Sequence, residues 1–186
     1  MKKVAIISSN EGILLESIVR YLKDTEFTCV TTNPNSKSLE RAEYLGIKNT
    51  ILENNKLQEF LDKEKFDLVV FEDIINEKFC GLKINPCLLP AFKNSENQIA
   101  DAIIEGCKVT GVTILNNDKI IAQYPIFITQ DMHFDDLENH INQIEQVLYP
   151  LVIEKVLNNE PFETQKLMKQ NSCSSSCGGN CSNCKH

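Results

Sequence analysis

The apolar positions of this chain fall into short runs whose period switches between strand and helix. Val4-Ala5-Ile6-Ile7 is continuous, as in a strand buried on both faces. The polar turn Ser8-Ser9-Asn10-Glu11-Gly12 follows, and Ile13–Leu22 then carries Leu14, Ile18 and Leu22 at helical spacing. Phe27–Thr32 reads as a second strand, closed by Asn33-Pro34-Asn35. Leu39–Leu45 reads as a helix with Gly46 just past its end, where glycine is favoured. Thr50-Ile51-Leu52 is a short strand, Leu57–Leu61 lies on a helix, and Asp67–Phe71 is a strong β run. Strands alternating with helices in this way indicate βαβ units and a parallel sheet.

After Leu82–Asn85, the next strand, the pattern changes. Ser95-x-x-Gln98 has capping-box form and predicts the start of a helix that runs to Gly106. Val109–Leu115 and Lys119–Ile128 are β runs joined by Asn116-Asn117-Asp118, a hairpin signal. Leu137, Ile141, Ile144, Leu148, Val152 and Val156 share one face of a helix from about Asp135 to Asn158. The expected fold is α/β: a doubly wound, mostly parallel sheet with a late β-hairpin and a long C-terminal helix. Residues 1–160 form one domain in this reading. Residues 161–186 form a flexible, cysteine-rich tail, because Asn171–His186 holds no apolar side chain other than cysteine.

Composition narrows the partners. A length of 186 residues suits about one domain, and 42% apolar content supports a buried core. The net charge of −7 argues against nucleic acid, whose phosphates need a basic face. No apolar run is long enough to span a membrane, and Val4–Ile7 is too short for the core of a signal peptide. A cytoplasmic protein is expected, in which eight cysteines are thiols or metal ligands more often than disulfides.

The chain is organised around Lys83-Ile84-Asn85-Pro86-Cys87-Leu88-Leu89-Pro90. Proline fixes φ and removes a donor, so Pro86 to Pro90 is read as a rigid loop at the carboxyl end of a strand. Rigid loops at strand ends are where ligands and chemistry are usually held.

This stretch resembles the Asn-Ile-His-Pro-Ser-Leu-Leu-Pro signature of glycinamide ribonucleotide formyltransferase and the wider folate-dependent formyltransferase family. Ile84, Pro86, Leu88, Leu89 and Pro90 match it. Lys83 stands at the position of the family's catalytic Asn, and Asn85 at that of its catalytic His. The resemblance runs over about residues 3–160, through Leu39-Glu40-Arg41-Ala42, Gly46-Ile47, Asp67-Leu68-Val69-Val70, Gly111-Val112-Thr113, Asp135-Asp136-Leu137 and Tyr149-Pro150-Leu151-Val152-Ile153. It implies a one-carbon transferase related to purine biosynthesis.

The resemblance also implies site residues. The family's phosphate loop, Gly-x-Gly-Ser-Asn at a helix start, corresponds to Ser8–Ile13, with Ser9, Asn10 and Gly12 as substrate-binding candidates. Glu11 places negative charge there, which equally suits an ordinary helix start. Formyl transfer needs an amine to attack a formamide carbon while an oxyanion is stabilised and a proton moved. Asn85 can donate to an oxyanion but cannot shuttle a proton; Lys83 can supply positive charge or be a solvated lysine. The family's Asp-Gly-Gly loop is shortened to Asn116-Asn117-Asp118-Lys119, leaving Asp118 as the candidate for its Asp or as a hairpin residue. That loop wraps the folate pterin in the family, so the shortening argues against folate as cofactor. Cys87 replaces the signature's Ser, either as a small packed residue or as a thiol at a ligand site. Cys80 and Cys107 are expected in the core, and His133 and His140 in structural roles.

Cys173, Cys177, Cys181 and Cys184 place four thiols within twelve residues, with His186 at the end. Soft thiolates select Zn(II), Cu(I) or iron–sulfur clusters. Cys177-x3-Cys181-x2-Cys184 has the cluster spacing of radical-SAM enzymes, so an iron–sulfur cluster or zinc is expected on the tail. The tail is also where a protein partner is expected.

Two functions stay open on these grounds. One is a pseudoenzyme: a divergent family member without glycinamide ribonucleotide formyltransferase activity, keeping a small-ligand pocket and carrying the metal tail. The other is an active enzyme that transfers a formyl group from 10-formyltetrahydrofolate to an amine.

Overall fold

The computed structural model describes residues 1–9, 11–72 and 79–160. Among the described residues, the strands and α-helices follow in the order β1 (Lys2–Ile7), α1 (Ile13–Tyr21), β2 (Thr25–Thr31), α2 (Lys37–Tyr44), β3 (Lys48–Ile51), α3 (Leu57–Glu64), β4 (Leu68–Phe71), β5 (Leu82–Asn85), α4 (Gln98–Ile104), β6 (Val109–Asn116), β7 (Lys119–Phe127) and α5 (Phe134–Leu157). The strands make one sheet in the order β3-β2-β1-β4-β5-β6-β7. The pairs from β3 across to β5 are parallel, and β6 runs antiparallel to both of its neighbours. The order reverses between β1 and β4, so the crevice expected in such sheets opens above Ile7 and Phe71.

Alternation along the strands divides the core in two. Val4, Ile6, Cys29, Val70, Leu82, Ile84, Val112 and Ile114 face a layer that includes Leu15 and Ile18 of α1 and Leu137, Ile141, Leu148 and Val152 of α5. Ala5, Ile7, Val30 and Phe71 face the other side, where Leu57 and Leu61 of α3 cover them. Lys83 and Asn85 alternate with Leu82 and Ile84, so they belong to this second face.

The predicted α/β architecture matches the structure, including the late hairpin and the long last helix. Asn117 and Asp118 both have positive φ, at 47° and 64°, as a two-residue hairpin turn requires. One boundary differs. The Ser95-x-x-Gln98 box does not open α4; Asn97 is the N-cap, its Oδ1 accepting from the Ala100 amide at 3.1 Å. Ser95 Oγ instead accepts from the Asn97 amide at 2.9 Å, and the Gln98 side chain turns inward to donate to the Phe92 carbonyl at 3.2 Å. Cys80 is exposed and Cys107 half-buried, rather than core, because both sit outside the regular elements.

β4 and β5 share only two register pairs, Val70 with Leu82 and Phe71 with Lys83. Their seam is held from the helix side. Tyr149 of α5 is fully buried, and its hydroxyl lies 2.9 Å from both the Phe71 and the Leu82 carbonyl oxygens. Tyr149→Phe keeps the ring and removes that donor. It is expected to destabilise the domain by about 1–3 kcal/mol, the usual effect of leaving a buried acceptor unmet, measured by urea unfolding.

Candidate functional site

The site region is the carboxyl edge of β1, β4 and β5 with the loop that follows β5. Its backbone is fixed from β6 and β7. Thr113, fully buried opposite Asn85, donates its hydroxyl to the Cys87 carbonyl at 2.6 Å and accepts from the Leu89 amide at 3.0 Å. Gln123 of β7 donates its side-chain amide to the Leu89 carbonyl at 2.9 Å and to Thr113 Oγ1 at 3.1 Å. Gly111 allows close packing beneath the loop: a Cβ there would lie 2.0 Å from the Tyr124 carbonyl oxygen and 3.0 Å from a Leu88 methyl. The loop ends in a cis Leu89–Pro90 bond.

The three candidate catalytic residues are not gathered at one point. Lys83 Nζ lies 3.1 Å from Asp118 Oδ1, and 6.0 Å from the centroid of the Phe71 ring. The Lys83 side chain is only 12% exposed, whereas that of Asp118 is 71% exposed. Asn117 fixes the turn to the amino end of β5: its amide donates to the Gly81 carbonyl at 3.1 Å, and its Oδ1 accepts from the Gly81 amide at 2.8 Å. Asn85 stands at the other end of that strand, half-buried on the same face as Lys83. Lys83 therefore bridges to Asp118 by its own length, and Asn85 is left at the loop.

The substrate-binding candidates separate in the same way. Gly12 is the N-cap of α1, at φ 70°. Ser9 contributes its carbonyl to the Asn33 side-chain amide at 3.3 Å. Asn10 lies outside the described residues. Cys87 is fully buried, its thiol donating to the Ala91 carbonyl at 3.3 Å, and burial pushes its pKa up to about 11. That environment suits a packed residue, since a reactive cysteine needs its thiolate stabilised.

One residue of the crevice was not singled out in the sequence. Glu72 follows β4 directly, and its backbone amide donates to the Ile7 carbonyl at 3.0 Å. Its carboxylate oxygen accepts from the Leu14 amide in the first turn of α1 at 2.7 Å. An acidic residue at a strand end was the only signal available; nothing local ties it to a helix 58 positions earlier. Glu145 of α5 is also buried at this level, and burial followed by the Glu72 charge raises its pKa to about 8.

Among the described residues, no group of three or more His, Cys, Asp or Glu is arranged to hold a metal. Cys173, Cys177, Cys181 and Cys184 lie outside those residues. No helix among the described residues is long and apolar enough to cross a membrane.

No protein-family model matches the chain. It is 27% identical over 190 aligned positions to a phosphoribosylglycinamide formyltransferase of Bacillus subtilis, spanning 84% of this chain and 95% of that one. The crystal structure of phosphoribosylglycinamide formyltransferase from Bacillus halodurans superposes with a TM-score of 0.74 at 27% identity, covering 87% of this chain and all of the other. The chain has a phosphoribosylglycinamide formyltransferase-like fold. The fold is shared more distantly with a 4-N formyltransferase from Francisella tularensis, at a TM-score of 0.69 and 20% identity over 86% of this chain and 70% of that one. Within this formyltransferase-like fold, the loop after β5 is held by Thr113 and Gln123, while positions 83 and 85 carry a lysine and an asparagine.

Glu145 gives the domain a pH dependence whose sign follows from its pKa. A carboxyl raised to about 8 in the folded state, against an ordinary value near 4.5, keeps its proton only when folded. Its contribution is fully present below about 4.5 and is lost as pH rises through about 8. The melting temperature is therefore expected to fall between pH 5 and pH 8, and Glu145→Gln, which stays neutral, should flatten that slope; calorimetric scans of both proteins across the range check it.

Proposed function

We propose that this chain is a divergent formyltransferase-family protein that lacks glycinamide ribonucleotide formyltransferase activity and binds a small molecule at the carboxyl edge of its sheet. What carries the reading is the contact of Lys83 with Asp118 at 3.1 Å. In formyl transfer the developing oxyanion needs an aimed donor, and a proton must leave the attacking amine. The ammonium of Lys83 is directed to a carboxylate instead. The Asn85 amide can donate a hydrogen bond to a ligand oxygen but has no proton to exchange near neutral pH. The loop around Cys87 and Leu89 remains held by Thr113 and Gln123, which supports a shaped ligand pocket without supporting turnover.

The full chain should show no ordinary turnover of glycinamide ribonucleotide with 10-formyltetrahydrofolate. Loss of general acid–base help alone is typically worth ~10²–10⁴-fold in rate. Turnover at the usual level of such enzymes would overturn the reading. Formyl transfer to a different amine would replace it with the reading of an active enzyme. A folate titration on the same sample separates loss of chemistry from loss of the cofactor.

The cysteine spacing of the tail supports a second part of the proposal. Cys173, Cys177, Cys181 and Cys184 hold one metal centre, iron–sulfur rather than zinc on the three-residue spacings, and offer a surface to a protein partner. Anaerobically purified protein is then brown, and Cys→Ser at position 177, 181 or 184 removes the colour while the melting of the α/β domain hardly moves. Metal analysis finding neither iron nor another thiophilic metal would refute it.

A further inference from the structure

We infer that Glu72 determines ligand class at the crevice between β1 and β4, reserving the N-terminus of α1 for the protein's own carboxylate, so that the bound small molecule carries no phosphate there. This deepens the small-ligand reading above and rests on it.

The first amides of an α-helix lack partners within the helix and attract anions. In α1 the N-cap is Gly12, which offers no side chain to them. Glu72 meets this demand from the neighbouring strand, through the 2.7 Å bond to the Leu14 amide. It is not a wandering surface group, because its own amide is tied to the Ile7 carbonyl, extending β4 along β1. The negative charge therefore sits at the topological switch point, where an anionic ligand would otherwise meet the helix.

Gly12, Ser8 and Glu11 are packed or bonded to α2 on the other side. A Cβ at Gly12 would lie 2.8 Å from the Ser38 Cα, so the turn is packed against the start of α2. Ser38 Oγ donates to the Ser8 carbonyl at 3.0 Å, and Arg41 Nε donates to the Glu11 carbonyl at 2.6 Å. The cations of α2 are matched to carboxylates of the same region, Lys37 to Glu11 at 2.8 Å and Arg41 to Glu16. A phosphate arriving here would have to displace a bonded carboxylate and find a cation already paired. Glu145, buried below and influenced by the Glu72 charge, adds no positive group.

The test uses the full chain, with inorganic phosphate and ribose 5-phosphate as probes against chloride at equal ionic strength. Wild-type protein should give no saturable heat and no rise in melting temperature with either probe. Glu72→Ala should melt lower than wild type and be stabilised saturably by phosphate, by about 3–6 °C at ten times the dissociation constant. Saturable phosphate binding by the wild type overturns the inference, and so does a folded Glu72→Ala that gains none. Should that variant not fold, the wild-type titration still decides. Formyl transfer to a phosphate-free amine would overturn the loss of catalysis while leaving this assignment standing, so the two failures are distinguishable.

Discussion

The hydroxyl of Tyr149 is the contact on which the site region depends most. β4 is four residues long and β5 is four residues long, and they overlap at two pairs. So short a parallel seam has little of its own to hold it. Tyr149 reaches both the last carbonyl of β4 and the first of β5 from a helix that is itself anchored by Leu137, Ile141, Leu148 and Val152. The single hydroxyl hydrogen is shared between two backbone acceptors on neighbouring strands. The position of Lys83, of Asn85 and of the loop beyond them follows from where β5 is set against β4.

At the carboxyl edge, the polar groups are satisfied mainly by one another. Glu72 meets the first turn of α1, and Glu11 and Glu16 meet Lys37 and Arg41, while Lys83 reaches back to Asp118 beside the amino end of β5. The exposed Lys37–Glu11 pair stabilises the fold only slightly. The larger effect of these contacts is on what can bind. A ligand gains little from a charge that already has a partner, and loses the partner's bond if it competes.

Much of the fold was legible because it is written in local periodicity. Leu82–Asn85 was bounded correctly from its apolar alternation and the proline that follows. The Asn117-Asp118 turn was legible because only a few residue types accept positive φ at two successive positions. The start of α4 was misplaced because Ser95 and Asn97 are both good caps two residues apart, and the choice rests on Gln98 turning inward to the Phe92 carbonyl. In the site, Lys83 and Asp118 could each be named but their pairing could not, since it depends on how far the shortened hairpin descends beside β5. Glu72 was invisible for a stronger reason: its role is defined wholly by a helix that precedes it by 58 residues.

The kept loop and the replaced residues, which pull in opposite directions when only the sequence is read, are reconciled by which groups hold the loop. Ile84 and Leu89 are buried, and Cys87 is sealed from solvent; the loop they form is closed by Thr113 and Gln123 through backbone carbonyls and amides. None of those hydrogen bonds involves the side chains at positions 83 and 85, although Thr113 pairs with Asn85 and shares its face. The clamp on Leu89 is made without a side-chain hydrogen bond from either position. Conversely, loss of Thr113 would leave the Leu89 amide and the Cys87 carbonyl without their partner in a buried setting, a penalty of about 1–3 kcal/mol for each unmet group. The frame of Pro86–Pro90 is held by buried contacts of its own backbone, independently of the residue types at positions 83 and 85.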